Sequence, residues 1–185
     1  ESIEFNDSTL VKSLNGNWKF NHIIGYENRN EEFISSNFEI NNLEDIIVPS
    51  HIELNGYGKP QYVNTQYPWD GKLNLVAPYI PEENRFGQYF KEFEIPDNWD
   101  GKDVFISLQG VEISFNLWCN GEYVGYAEDS QTSSDFNLTK FLVKGTNRVV
   151  VEVYKYSTAT WLEDQDCWRF FGIHRDVFLY AKNKV

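Results

Sequence analysis

Cysteine is scarce in this chain. Only Cys119 and Cys167 occur in 185 residues, too few and too far apart for a zinc site or a disulfide framework, so both read as small hydrophobes. Long apolar runs are also missing: nothing approaches the roughly 18 residues of a membrane-spanning helix, and no charged-then-apolar secretory leader opens the sequence. Basic residues are outnumbered, with 16 Lys and Arg against 28 Asp and Glu and a formal net charge of −12. Such a surface repels polyanions, which argues against nucleic-acid binding through neutralised phosphates. There is no glycine-rich phosphate loop, nucleophile elbow, internal repeat or low-complexity segment. His22, His51 and His174 lie far apart with no metal spacing, and each reads as a local hydrogen-bonding residue.

What the chain has is aromatic side chains, 17% of residues including six tryptophans. Most must be core, but flat rings also pack on the apolar faces of sugars. A length of 185 residues suits one large domain, 1–185, with a substantial core. Residues 1–13 have no clear period and read as an arm or loop. Asn15-Gly16-Asn17 makes a turn into a strand with Trp18 and Phe20 on one face. Residues 21–45 read as a long polar loop anchored by Phe33, Ile34 and Phe38, and Ile46-Ile47-Val48 as a short strand stopped by Pro49. From 51 to 81, glycines and prolines alternate with Tyr57, Tyr62, Tyr67, Trp69 and Tyr79. A loop that long inside a compact domain is usually functional or disordered, and its rings argue against disorder, so it should cover something.

Strand signals then follow closely: 88–95, 104–108, 113–119 joined to 122–126 across Asn120-Gly121, 135–142, 148–156 and 177–181. Asn-Gly is the strongest short hairpin signal, because both central residues of a type I′ turn need positive φ. Seven to nine short strands without a long amphipathic helix predict an all-β antiparallel sandwich, of jelly-roll type.

The densest chemistry lies at Leu162-Glu163-Asp164-Gln165-Asp166-Cys167-Trp168-Arg169-Phe170-Phe171-Gly172-Ile173-His174-Arg175-Asp176-Val177, where four carboxylates and two arginines interleave with apolar rings. Charges there have to be paired or coordinated. One reading ties Arg169 and Arg175 to neighbouring acids and leaves Asp166 to meet a ligand or cation. Asp164 and Asp166 would stand about 6.6 Å apart on one face of an extended segment, within the roughly 6.5–9.5 Å of an inverting glycosidase pair. Two neighbours on one loop do not easily flank a scissile bond, however, and purely structural ion pairing also fits. Asn64, between strand formers and a proline turn, could exchange hydrogen bonds with a sugar hydroxyl or close its own loop.

Taken together, Leu14-Asn15-Gly16-Asn17-Trp18, Val48-Pro49-Ser50, Tyr67-Pro68, Pro81-Glu82-Glu83-Asn84, Leu117-Trp118-Cys119-Asn120-Gly121, Val124-Gly125-Tyr126 and the dense segment resemble the N-terminal domain of glycoside hydrolase family 2 β-galactosidases of the large bacterial lactase type. The resemblance implies a jelly roll leaning on a (β/α)8 barrel that supplies both catalytic glutamates, neither of which is in this chain. It implies that Asn64 and Asp166 contact the galactosyl unit, that Asp166 also helps hold a sodium ion beside the sugar, and that the catalytic domain has room for magnesium. Its expected partners are a β-galactoside and further copies of the full-length enzyme, in the cytoplasm of a bacterium, with periplasmic or secreted placement left open. The rival expectation is a self-sufficient carbohydrate-binding module.

Overall fold

The computed structural model describes residues 10–163 and 166–184. Two antiparallel sheets face each other. The larger runs in the order β3 (Glu44–Val48), β2 (Gly16–Ile24), β5 (Arg85–Glu94), β11 (Thr146–Tyr154), β8 (Ser114–Cys119) and β9 (Glu122–Glu128). The smaller runs β1 (Val11–Ser13), β14 (Val177–Lys182), β6 (Asp103–Leu108) and β10 (Ser134–Asn137). Two ribbons sit apart from both sheets: β4 (Gln61–Val63) with β12 (Cys167–Arg169), and β7 (Val111–Glu112) with β13 (Gly172–Ile173). The one α-helix among the described residues, α1 (Thr160–Glu163), is a single turn, and the other helical pieces are short 3-10 turns. The all-β antiparallel sandwich expected of the jelly-roll class is therefore what forms.

The strands show why. In β11, Val149, Val151 and Val153 face the main core, while Val150 points to the other side and is also buried. A central strand covered on both faces reads as a continuous apolar run, as this one does. Its outer cover is the segment read as a long polar loop, held by the apolar anchors expected of it. Phe33 and Ile40 are buried there against Phe90, Trp118 and Val150, and Phe38 stacks on Phe90 at 5.7 Å. Fully burying an aromatic ring contributes about 1.5–3 kcal/mol, enough to hold the otherwise polar stretch down. At the hairpin between β8 and β9, Asn120 and Gly121 adopt φ of 51° and 87°, both positive as a type I′ turn requires.

The opening motif is tied to the closing strand. Leu14 N–H donates to the Val177 carbonyl, Asn15 Nδ2 donates to Asp176 Oδ1 at 2.9 Å, and Val177 N–H donates to Asn15 Oδ1 at 2.9 Å. Two expectations need correcting. Residues 11–13 are not part of a free arm, because they pair with β14. The 51–81 stretch is not wholly irregular, because Gln61–Val63 is a strand. Both pieces are three residues long, below the length at which alternation is visible. No helix among the described residues is long and apolar enough to cross a membrane.

Candidate functional site

Residues from two distant loops meet in the β4–β12 ribbon. Its register sets Val63 opposite Cys167 and Tyr62 opposite Trp168. The ribbon continues one step further, where Asp166 N–H donates to the Asn64 carbonyl at 2.8 Å. Asn64 and Asp166, singled out separately in the sequence, are thus main-chain neighbours, and both side chains are exposed. Asp166 has φ of 55°, a left-handed conformation that aspartate tolerates better than most residues. The Tyr62 hydroxyl donates to Asp166 Oδ1 at 2.6 Å across 104 residues of sequence, and this bond holds the phenol above its ordinary pKa.

The rings of Tyr62 and Trp168 lie 5.6 Å apart and are 51% and 57% exposed. Side chains that large stay open to solvent at a real cost, and contiguous exposed apolar surface of this kind marks a place of contact. Neither ring could be assigned to the site from sequence, since their meeting depends on the register of two three-residue strands. Beside them, Asn64, Gln66 and Tyr67 help line a cleft of about 300 Å³.

The aromatic loop has its own foundation. Tyr67 and Trp69 stack at 5.6 Å, and Trp161 closes on them at 4.4 and 4.9 Å. The Tyr67 hydroxyl donates to the Trp161 carbonyl, Trp161 Nε1 donates to the Tyr79 carbonyl, and Gln61 Nε2 donates to the Pro68 carbonyl. Below it lies a buried ion pair: Lys155 Nζ donates to Glu53 Oε1 at 2.6 Å, while Glu53 Oε2 accepts Phe171 N–H at 3.1 Å. That arrangement fastens the start of the loop to the dense segment.

Within the dense segment the charges divide. Glu163 accepts the Ser130 hydroxyl at 2.5 Å, and Asp176 accepts Asn15. Arg169 is buried, and burial pulls its pKa down to about 10 against the opposing pull of Glu112. Arg175 departs from expectation: among the described residues its guanidinium donates to the carbonyl and side-chain oxygen of Gln131, not to an acid. Asp164 lies outside the described residues, so the two-aspartate spacing has no structural counterpart here. Cys119 is buried, its thiol pushed up to about 12 by desolvation, and Cys167 is half-buried; neither is in a disulfide.

The histidines also depart from expectation. His51 and His174 stack with ring centroids 5.3 Å apart and planes within 9°. Their Nδ1 atoms, and Nε2 of His22, are buried with no hydrogen-bond partner among the described residues. Sequence distance concealed the pairing of the first two, which follows from main-chain bonds joining residues 50–52 to 171–173.

The sequence profile described as "Glycosyl hydrolases family 2, sugar binding domain" matches residues 11–183. A β-galactosidase of Halalkalibacterium halodurans is 56% identical over 174 residues, covering 94% of this chain and 17% of that protein. A β-galactosidase of Streptococcus thermophilus is 49% identical over 186 residues, covering 100% of this chain and 18% of that protein. The β-galactosidase large subunit of Leuconostoc lactis is 42% identical over 188 residues, covering 95% and 30%. Among solved structures, a β-glucuronidase of Bacteroides uniformis superposes with a TM-score of 0.70 at 22% identity, over 94% of this chain and 18% of that one, which speaks to the fold alone. The chain spans about a fifth of the length of the first of these relatives. With every residue from β1 to β14 inside the profile, the chain belongs to the sugar-binding domain family of glycosyl hydrolases family 2.

Proposed function

We propose that this chain is the N-terminal domain of a β-galactosidase that releases terminal β-D-galactosyl residues with retention, and that it forms one wall of the substrate pocket. The acid/base and nucleophile glutamates belong to a downstream barrel, and the chain's own contribution is positional. The observation that carries this reading is the junction at Asp166 and Asn64. Two polar side chains are held together by a main-chain bond and exposed beside two open aromatic rings. An amide can both donate to and accept from a hydroxyl, and a carboxylate oxygen accepts more than one hydrogen bond, so Tyr62 leaves acceptor capacity at Asp166. Bonds to hydroxyls that do not react supply binding energy that orients the bond that does.

Asp166 also suits the sodium ion expected of such an enzyme. An exposed carboxylate is a hard oxygen donor of the kind alkali and alkaline-earth cations take, and it would be one ligand among several, the others coming from outside this chain. The ion would supply a fixed positive charge beside the sugar. Magnesium, where used, would belong to the catalytic domain. In the same reading the full-length enzyme assembles from several copies.

The test is Asp166→Ala and Asn64→Ala in the full-length enzyme, assayed on a chromogenic galactoside with sodium varied. A fall in kcat/KM and a weakened sodium dependence at Asp166→Ala are expected. Unchanged kcat/KM in both would reduce the domain to a brace. The isolated chain should not hydrolyse the galactoside and should bind galactose feebly; saturable binding by the chain alone would favour a self-sufficient carbohydrate-binding module.

A further inference from the structure

Away from the Asn64 and Asp166 side chains, three segments are stitched together by main-chain hydrogen bonds. Ser50 N–H donates to the Ile173 carbonyl at 2.8 Å, Ile52 N–H to the Phe171 carbonyl at 2.9 Å, and His174 N–H to the Gly110 carbonyl at 3.1 Å. In the β7–β13 ribbon, Glu112 stands opposite Gly172. The backbone therefore brings His51, Glu112 and His174 to one spot, whatever their side chains do. One ligand atom from each lies within 4.8 Å of the other two, and His51 Nδ1 is 3.6 Å from Glu112 Oε2. For ligands about 2.1 Å from a tetrahedral zinc ion, the ligand–ligand edge is about 3.4 Å. One edge is thus nearly in place.

We propose that His51, Glu112 and His174 form a site for a single divalent metal ion of the zinc type, open on the side of the cleft they share with Arg169 and Arg175. Two imidazoles and one carboxylate are a donor set that borderline cations prefer and that alkaline-earth cations do not. Both imidazoles are ready to bind, since burial holds each below its ordinary pKa, His174 at about 4 with His51 and Arg175 pushing the same way. Metal coordination requires the neutral ring. Both Nδ1 atoms are buried and make no hydrogen bond among the described residues, a shortfall that proteins seldom leave. Glu112, its side chain 14% exposed and its pKa raised to about 7 by desolvation despite Arg169 and the Phe170 N–H, gains a second positive neighbour.

The site keeps an open position toward a cleft of about 640 Å³ that Ser130 and Gln131 also line. Arg169 faces Glu112 and Arg175 adjoins His174, so a dication competes with two guanidinium groups and binds less tightly than in a closed structural site. The near-parallel rings must also turn to aim their lone pairs at one point, giving up the His51–His174 stack. The proposal does not depend on the enzymatic role proposed above.

The experiment uses the full-length protein carrying this chain, stripped with a chelator and titrated with CoCl2, then with ZnCl2 in competition. Parent and the variants Glu112→Gln, His51→Gln and His174→Gln are compared, so that any other metal site cancels. One cobalt equivalent with visible ligand-field bands is expected in the parent, displaced by zinc, and weakened on the order of ten-fold or more by each substitution. Identical stoichiometry and spectra in parent and variants would overturn the proposal. So would a thiolate-to-cobalt charge-transfer band that survives Glu112→Gln, which would move the ion to Cys167. A second measurement needs no variant: diethyl pyrocarbonate modification of the parent, mapped by mass spectrometry, should fall at His51 and His174 when zinc is added. Equal modification with and without zinc sinks the assignment.

Discussion

The ion pair between Glu53 and Lys155 should be among the most sensitive points of the structure. Their side chains are 0% and 6% exposed, the charged atoms are 2.6 Å apart, and Glu53 also accepts the Phe171 N–H while Lys155 lies 5.3 Å over the Phe171 ring. Replacing Lys155 by Met removes the partner of a carboxylate that no solvent reaches. Breaking one side of a buried pair costs about 3–5 kcal/mol, because the remaining charge is left uncompensated. For a domain of this size each kcal/mol shifts Tm by about 2–4 °C, so the expected fall is roughly 6–20 °C. Replacing both residues, as Glu53→Leu with Lys155→Met, should recover much of that loss, since an apolar pair of similar volume is often neutral or better. The Phe171 N–H loses its acceptor in the double variant, so recovery stops short by about 1–3 kcal/mol, the cost of one buried unsatisfied group. Urea unfolding followed by tryptophan fluorescence gives all three free energies. A Lys155→Met loss below about 1 kcal/mol, typical of an exposed pair, would refute the reasoning.

Three further outcomes are expected. Phe33→Ala removes a fully buried ring that meets Trp118 edge-on at 5.4 Å; equilibrium unfolding should show about 3–5 kcal/mol lost, whereas a loss under about 1 kcal/mol would mean the 25–43 segment does not cover the sheet. Tyr62→Phe should leave Tm nearly unchanged, because the residue is exposed, yet lower kcat/KM of the full-length enzyme several-fold by freeing Asp166 from the hydrogen bond that orients it; unchanged kinetics would detach Tyr62 from the site. His22 has its pKa lowered to about 4 by burial, with Arg85 and Lys155 acting in the same direction. The unfolded chain takes up this proton near 6.5 and the folded chain only near 4, so protonation favours unfolding and stability should fall as pH drops from about 6.5 to 4. His22→Gln should flatten that part of the profile, and an unchanged slope would show the group is not responsible.

Much of the fold can be read in the sequence, and the places where it cannot are physically coherent. Long strands announce themselves by period: Val149 to Val153 and the Asn120-Gly121 turn left little choice. Strands of two or three residues carry no period, which is why β4, β7, β12 and β13 were invisible. Those are the ribbons that assemble both clusters of polar side chains. Asn64 and Asp166 were legible as residue types suited to a ligand, but their adjacency rests on a hydrogen bond between segments about a hundred residues apart. The His51–Glu112–His174 group was illegible for the same reason, and the three histidines read as unrelated. The acids around Arg175 in sequence suggest an ion pair, yet its guanidinium bonds Gln131, 44 residues away in sequence, which no local pattern reveals.

The bond from Asp166 N–H to the Asn64 carbonyl has a consequence for engineering. Because the two residues share a peptide-level clasp, neither can be transplanted alone: a loop graft carrying only one of them would deliver a side chain without its bearing. Chimeras among relatives should therefore exchange residues 61–70 and 160–169 as a matched cassette, and swaps of either half by itself should misplace both groups at once.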